Sequence, residues 1–366
     1  MKRVLLILFF FQTISLSAQE SILSDSLFML HLKTEVDSIY NFQFENTENT
    51  YLELEEKYPD HAFTQLFYAL MLHWKYFPIV PESEYHDEYI NKIEKAILSA
   101  ENSLDKNKDN TEAIFFNLMS RMLIMQHYAD NKVSSKVVPH LGRGYKMVAA
   151  GFDLKEEMTD FHFSTGIYNY YSKAYPEAHP IYKPVAYFFP KGDIELGLQQ
   201  LEYNWNNGVF LDVESLFFLA YINLNFEKNF EASLKNLEHL NDSFPNNPLY
   251  TSYRIQNLFI TKNYNLAEKY IDKLEKMSTS NDFFQIISHL YQAVILEKKN
   301  RNYKKAAIVY ANVVQDLEKY GNFANGYSSF AFYGLSRIYR EIDKKKAKNY
   351  RKIADDLAVY PHINFD

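Results

Sequence analysis

Histidines and carboxylates are where chemistry would have to start in this chain, and their spacing gives little to build on. His140, His162 and His179 could gather with Asp160 and Glu177 as metal ligands. Yet no two histidines stand four apart, and His-Glu-x-x-His, which sets two imidazoles on one helical face, is absent. The adjacent acids Glu156-Glu157 and Asp355-Asp356 would point about 100° apart on a helix. General acid–base work needs two carboxylates facing one substrate across a gap, so solvated helix faces account for these pairs better. There is no Gly-x-Ser-x-Gly elbow, phosphate loop or dinucleotide fingerprint, and Gly142-Arg143-Gly144 is too short to be one. The residues therefore point to a non-catalytic protein that needs no cofactor and no metal.

Rings are the remaining candidates. Gly166 to Gly197 holds Pro176, Pro180, Pro184 and Pro190, four of eleven prolines, and six of thirty tyrosines. Tyr168, Tyr170, Tyr171, Tyr175 and Tyr182 cannot all be buried on one side. An exposed tyrosine surface beside His179, Lys183 and Lys191 would suit a peptide or a sugar ring, because tyrosine supplies contact area at low entropic cost. The candidate ligand-binding set is Tyr168, Tyr171, Tyr175, His179, Tyr182, Lys183 and Lys191. The plainer reading is that these rings fill an irregular joint.

Helices must position them. Only ten glycines in 366 residues disfavour a sandwich or barrel. Asn229-Phe230, Asn263-Tyr264 and Asn302-Tyr303 each precede an alanine, at 232, 267 and 306, and Ala347 continues the series. The spacings of 35, 39 and 41 fit a repeated helix–turn–helix unit. In this reading the aromatic wedges under the preceding hairpin, the small residue lets two helices approach, and partner helices lie near 212–225, 247–261, 282–298 and 325–341. Helical patterns are also read near 20–45, 52–58, 61–76, 83–104, 111–128 and 133–152. A helix runs from Met158 through Tyr171, and Asp193 caps another at 194–206. The expected divisions are a leader over 1–19, an N-terminal array over 20–158, a joint over 159–210 and a C-terminal array over 211–366.

The leader has the three parts of a secretory signal: Lys2 and Arg3, the apolar run Val4–Phe11, and a small, polar exit ending at Gln19. That run is far short of the ~20 residues that span a bilayer, and no later segment is long enough, so the mature chain is expected without a transmembrane span. Cysteine is absent, which excludes disulfides, thiolate metal sites and the acylated cysteine of a lipoprotein. The expected location is periplasmic or secreted, with peripheral envelope association open. Net charge is −7, and losing the leader removes two positive charges, so nucleic acid is not an expected partner.

The small positions, the preceding aromatics and the Ser-Phe-Pro-Asn-Asn-Pro exit after Asp242 resemble the tetratricopeptide repeat family. The stretch 160–260, with Gly-x-Tyr-x-Tyr and then Phe-Pro-Lys-Gly-Asp-x-x-x-Gly-Leu-x-x-Leu, is similar to bacterial tetratricopeptide-like proteins and to the eukaryotic tetratricopeptide-39 group. The resemblance implies an all-α superhelix of helical hairpins and an adaptor role, and brings no catalytic residue. The expected function is an exported scaffold holding a protein or peptide partner. The alternatives are an envelope glycan hydrolase, with Asp160 and Glu177 as its acids, and an accessory subunit of outer-membrane or secretion machinery.

Overall fold

The computed structural model describes residues 21–180, 183–187, 189–360 and 362–366; the leader and Tyr182 lie outside them. Among the described residues there is no strand. The N-terminal helices are α1 (Ser26–Tyr40), α2 (Thr47–Lys57), α3 (Ala62–Lys75), α4 (His86–Lys106), α5 (Thr111–Asp130) and α6 (Ser134–Leu154). Next come α7 (Phe161–Ala178), the one-turn α8 (Lys183–Ala186) and α9 (Ile194–Asn207). The chain continues with α10 (Asp212–Asn225), α11 (Phe230–Ser243), α12 (Pro248–Ile260) and α13 (Tyr264–Met277). It closes with α14 (Asp282–Lys298), α15 (Tyr303–Leu317), α16 (Asn325–Tyr339) and α17 (Lys344–Leu357). From α3 onward the long helices pack on their neighbours in chain order, and α3 on α5, α12 on α14 and α14 on α16 also touch. This makes two layers. The inner α12 buries ten of its thirteen residues, whereas the outer α13 buries three of fourteen. A helix apolar all round belongs inside, and one with a single stripe belongs outside.

Caps set the register of the outer layer. The side chains of Asp193, Asn229, Asn263, Asn302 and Asp343 each accept the backbone N–H three residues on, a contact typically worth ~1 kcal/mol. The residue four after each cap is small and buried: Gly197, Ser233, Ala267, Ala306 and Ala347. The expected alanines hold at 267, 306 and 347 but not at 232, which is only half-buried. The cap at Asn229 places the close approach at Ser233, whose hydroxyl donates to the Ala220 carbonyl at 2.9 Å and so can be buried.

The proline-rich stretch differs from its reading. Helix α7 continues seven residues past Tyr171 and takes Pro176 into its last turn, where the chain ends before the lost N–H costs much. The remaining prolines lie on an excursion between α7 and α9, and those two helices are packed directly together. The array thus runs straight through the supposed joint. A Cβ on Gly197 would lie 2.7 Å from the Tyr170 nitrogen and 2.8 Å from the Gly166 oxygen, so two backbones touch there.

A second meeting of the two halves was not read from the sequence. The C-terminal ends of α1, α3 and α5 abut the N-terminal ends of α12, α14 and α16. Asn247 caps α12 through its oxygen while its nitrogen donates to the Tyr40 carbonyl at 2.7 Å. Asn281 caps α14 and donates to the Phe77 carbonyl at 2.7 Å. Joining the negative end of one helix to the positive end of another is favourable. Rings fill the seam: Trp74 on Tyr250 at 6.2 Å and Phe77 on Phe284 at 5.4 Å. Much of the aromatic content is structural seam.

Candidate functional site: an inner aromatic strip

The structure divides the candidate residues. The Tyr168 hydroxyl donates to the Pro190 carbonyl at 2.7 Å, and its ring lies against Tyr145 and Phe152 of α6. It ties the excursion to the array. Lys183 and Lys191 are exposed and form no ion pair among the described residues. His179 is the C-cap of α7 and lies 4.5 Å from the Tyr175 ring. Tyr182 is outside the described residues. Tyr171 turns the other way, with its ring 5.3 Å from Phe226 and 6.5 Å from Phe218. Its buried hydroxyl has no hydrogen-bond partner.

From Tyr171 the rings continue across the inner helices. Phe218 meets Tyr221 at 6.3 Å, Tyr221 meets Tyr253 at 5.9 Å, and Phe217 meets Tyr253 at 5.3 Å. These belong to α10 and α12, and they form one strip with Tyr171 of α7. Residues 358–360 and 362–366 return from α17 and lie on this inner face. Tyr360 and Tyr221 share a hydrogen bond of 2.8 Å, and the Tyr360 ring is 5.5 Å from Phe226. Phe365 sits 5.3 Å from Phe259 and 4.8 Å from Phe330. Arg337 donates to the Asn364 carbonyl at 2.5 Å. The missed site residues, Tyr221, Tyr253 and Tyr360, are signalled only by Phe217-Phe218-x-x-Tyr221, a ring pair at helical spacing on α10.

The strip is hydroxylated and almost uncharged. Burial pushes the Tyr360 hydroxyl up to about 12 and holds those of Tyr171, Tyr221 and Tyr253 well above the usual range. All stay neutral and can both donate and accept. Burial lowers His362 and raises Asp130, which faces Tyr253 and Tyr360 from the end of α5, to about 7. Such a surface can bind rings and amides; it has no charge with which to hold phosphate.

The acids do not assemble a catalytic pair. Asp160 is 2% exposed, and its carboxylate accepts the N–H groups of Val209, Phe210 and Leu211 at 2.8–3.2 Å. It holds the turn into α10. Glu177 is exposed seventeen residues further along α7, or about 25 Å at 1.5 Å per residue. His162 packs on Tyr203, and His140 faces Arg121. No group of three candidate metal ligands occurs among the described residues.

A different acid makes a pH prediction. Glu214, at the seam, accepts the Tyr40 hydroxyl at 2.9 Å, and burial followed by the nearby Asp212 raises it to about 7. The fold therefore favours its protonated form. That stability is present below the ordinary glutamate range near 4.5 and is lost as pH rises through about 7. Glu214→Gln keeps the acceptor for Tyr40 and removes the titration. We expect the variant to match the parent near pH 4 and to exceed it by about 2 kcal/mol at pH 8. One pKa unit is about 1.4 kcal/mol, and the solvent contact Glu214 keeps trims the full shift. Urea unfolding at both pH values checks this; a constant difference contradicts it.

No protein-family model matches the chain, and no curated protein is similar to it.

Proposed function

We propose that the chain is an exported, non-catalytic scaffold of tetratricopeptide type that binds a protein or peptide partner in the cell envelope. The binding surface in this reading is the inner strip of Tyr171, Tyr175, Phe218, Tyr221 and Tyr253. One observation carries the proposal: the chain's own C-terminal residues already lie on this inner face, with Tyr360 hydrogen-bonded to Tyr221 and packed on Phe226, and Phe365 packed on Phe259. A guest peptide uses the same chemistry beside Tyr175, which is 37% exposed, or in place of that stretch. Tyrosine and phenylalanine rings bind peptides with little loss of side-chain freedom.

A photo-crosslinking residue placed at Tyr175, and separately at the exposed outer Leu98, tests the reading in cells. We expect discrete adducts from 175 alone, lost when Tyr171 and Tyr253 are changed to alanine in a chain that still folds. Equal adducts from both positions, or none from 175, reject the strip as the binding surface.

A further inference from the structure

The turns 299–302 and 340–343 follow α14 and α16. Glu297 and Arg337, in the last turns of those helices, are joined by hydrogen bonds of 2.6 and 2.9 Å. The two helix ends therefore lie abreast, and so do the starts of α15 and α17. This rim is strongly basic in a chain whose net charge is −7. Arg301, Lys304, Lys305, Arg340, Lys344 and Lys345 are all exposed, and none is in an ion pair among the described residues. The nearby acids are largely committed: Glu268 to Lys299 at 2.7 Å, Glu297 to Arg337, and Asp343 to the backbone nitrogen of Lys346. Glu341 is exposed without an ion pair. Two apolar side chains project between the cations: Tyr303, 50% exposed, and Ile342, 73% exposed. The opposite rim of the same helices is the seam with the N-terminal half, so this one is left facing outward.

We infer that this rim docks on an anionic lipid surface. Cations alone would suit any polyanion, but a ring and an aliphatic side chain standing proud among them suit a bilayer interface, where an amphipathic surface places charge at the headgroups and apolar atoms below. Each surface lysine or arginine near an anionic leaflet adds about a five-fold factor to binding. No helix among the described residues is long and apolar enough to cross a membrane, so the attachment is peripheral and reversible. It uses none of the strip residues and leaves the inner face turned to a partner.

The test is co-sedimentation of the chain from residue 20 onward with vesicles of phosphatidylcholine alone or with 30% phosphatidylglycerol. We expect binding to the anionic vesicles only, weakening at least ten-fold between 0.15 and 0.5 M salt as screening shortens. Reversing Lys304, Lys305, Lys344 and Lys345 to glutamate should weaken it more than 100-fold. Reversing Lys95, Lys106, Lys108 and Lys155 should leave it unchanged. Tyr303→Ser with Ile342→Ser should weaken it about ten-fold without altering the salt dependence. Circular dichroism confirms that each variant folds. The inference is overturned by equal binding to neutral vesicles, by loss in both charge-reversal sets, or by retention on a polyphosphate matrix without vesicle binding.

Discussion

Gly197→Val is expected to destabilise the chain by about 3 kcal/mol or more, a large fraction of a typical folding margin of about 5–15 kcal/mol. The reason lies in what the added atoms meet. The first of them, Cβ, would already stand 2.7 Å from the Tyr170 nitrogen and 2.8 Å from the Gly166 oxygen. Both are backbone atoms of a helix and cannot swing aside as a side chain can. Moving α9 outward instead would strip Leu201, which is fully buried, and break the Asn169–Gln200 hydrogen bond of 2.7 Å beside it. The control is Gly142→Ala. Gly142 is exposed within α6, with nothing within 4 Å of the added carbon, so the change should stabilise by about 0.5–1 kcal/mol through helix propensity. Opposite signs from two glycine substitutions, measured as urea midpoints, would locate the effect in the α7–α9 crossing. A mild Gly197→Val phenotype would mean that the two helices separate easily.

That crossing explains a motif whose pattern was visible and whose purpose was not. In Gly-Asp-x-x-x-Gly-Leu-x-x-Leu, Gly192 lets the incoming loop lie on the Asn169 carbonyl, Asp193 caps the helix, Gly197 makes the crossing and Leu201 fills the core behind it. Cap and small residue recur through the outer layer because both are local. They act within four residues, so they survive as pattern. The same locality made α10 to α17 legible, with most boundaries within one or two residues.

What could not be read is what spans the chain. Asn247 and Asn281 look like ordinary caps, and nothing near them reveals that their nitrogens bond carbonyls more than two hundred residues away. Phe77 and Trp74 give no hint of Phe284 or Tyr250. Of the candidate residues in the proline-rich stretch, Tyr168 proves to anchor the excursion, whereas Tyr171 joins rings from helices later in the chain. Tyr-Pro-His-Ile-Asn-Phe-Asp, after α17, shows no periodicity in the sequence, because Tyr360 and Phe365 each pack on the inner face through their own ring contacts.

Arg337→Ala is expected to cost about 3–5 kcal/mol, the range for breaking a buried ion pair by removing one partner. Arg337 donates twice to Glu297, at 2.6 and 2.9 Å, and Tyr310 donates to the same carboxylate at 2.8 Å. Without the guanidinium, Glu297, 5% exposed, is left with the Tyr310 hydroxyl and the more distant Lys298 ammonium at 3.8 Å. Arg337→Met combined with Glu297→Leu removes both charges, and should recover most of the loss, as paired buried charges replaced by packed apolar groups often do. Arg337→Lys should fall between, because one ammonium cannot reproduce a two-pronged contact and also reach the Asn364 carbonyl. That carbonyl connects stability to the strip. All three substitutions withdraw a donor that seats the C-terminal residues, so native-state amide hydrogen exchange at Ile363 and Phe365 should accelerate in each, including the double variant with recovered stability. If the double variant is protected like the parent, ring contacts alone seat the strap. In that case Arg337 serves the core and has no bearing on access to the inner face.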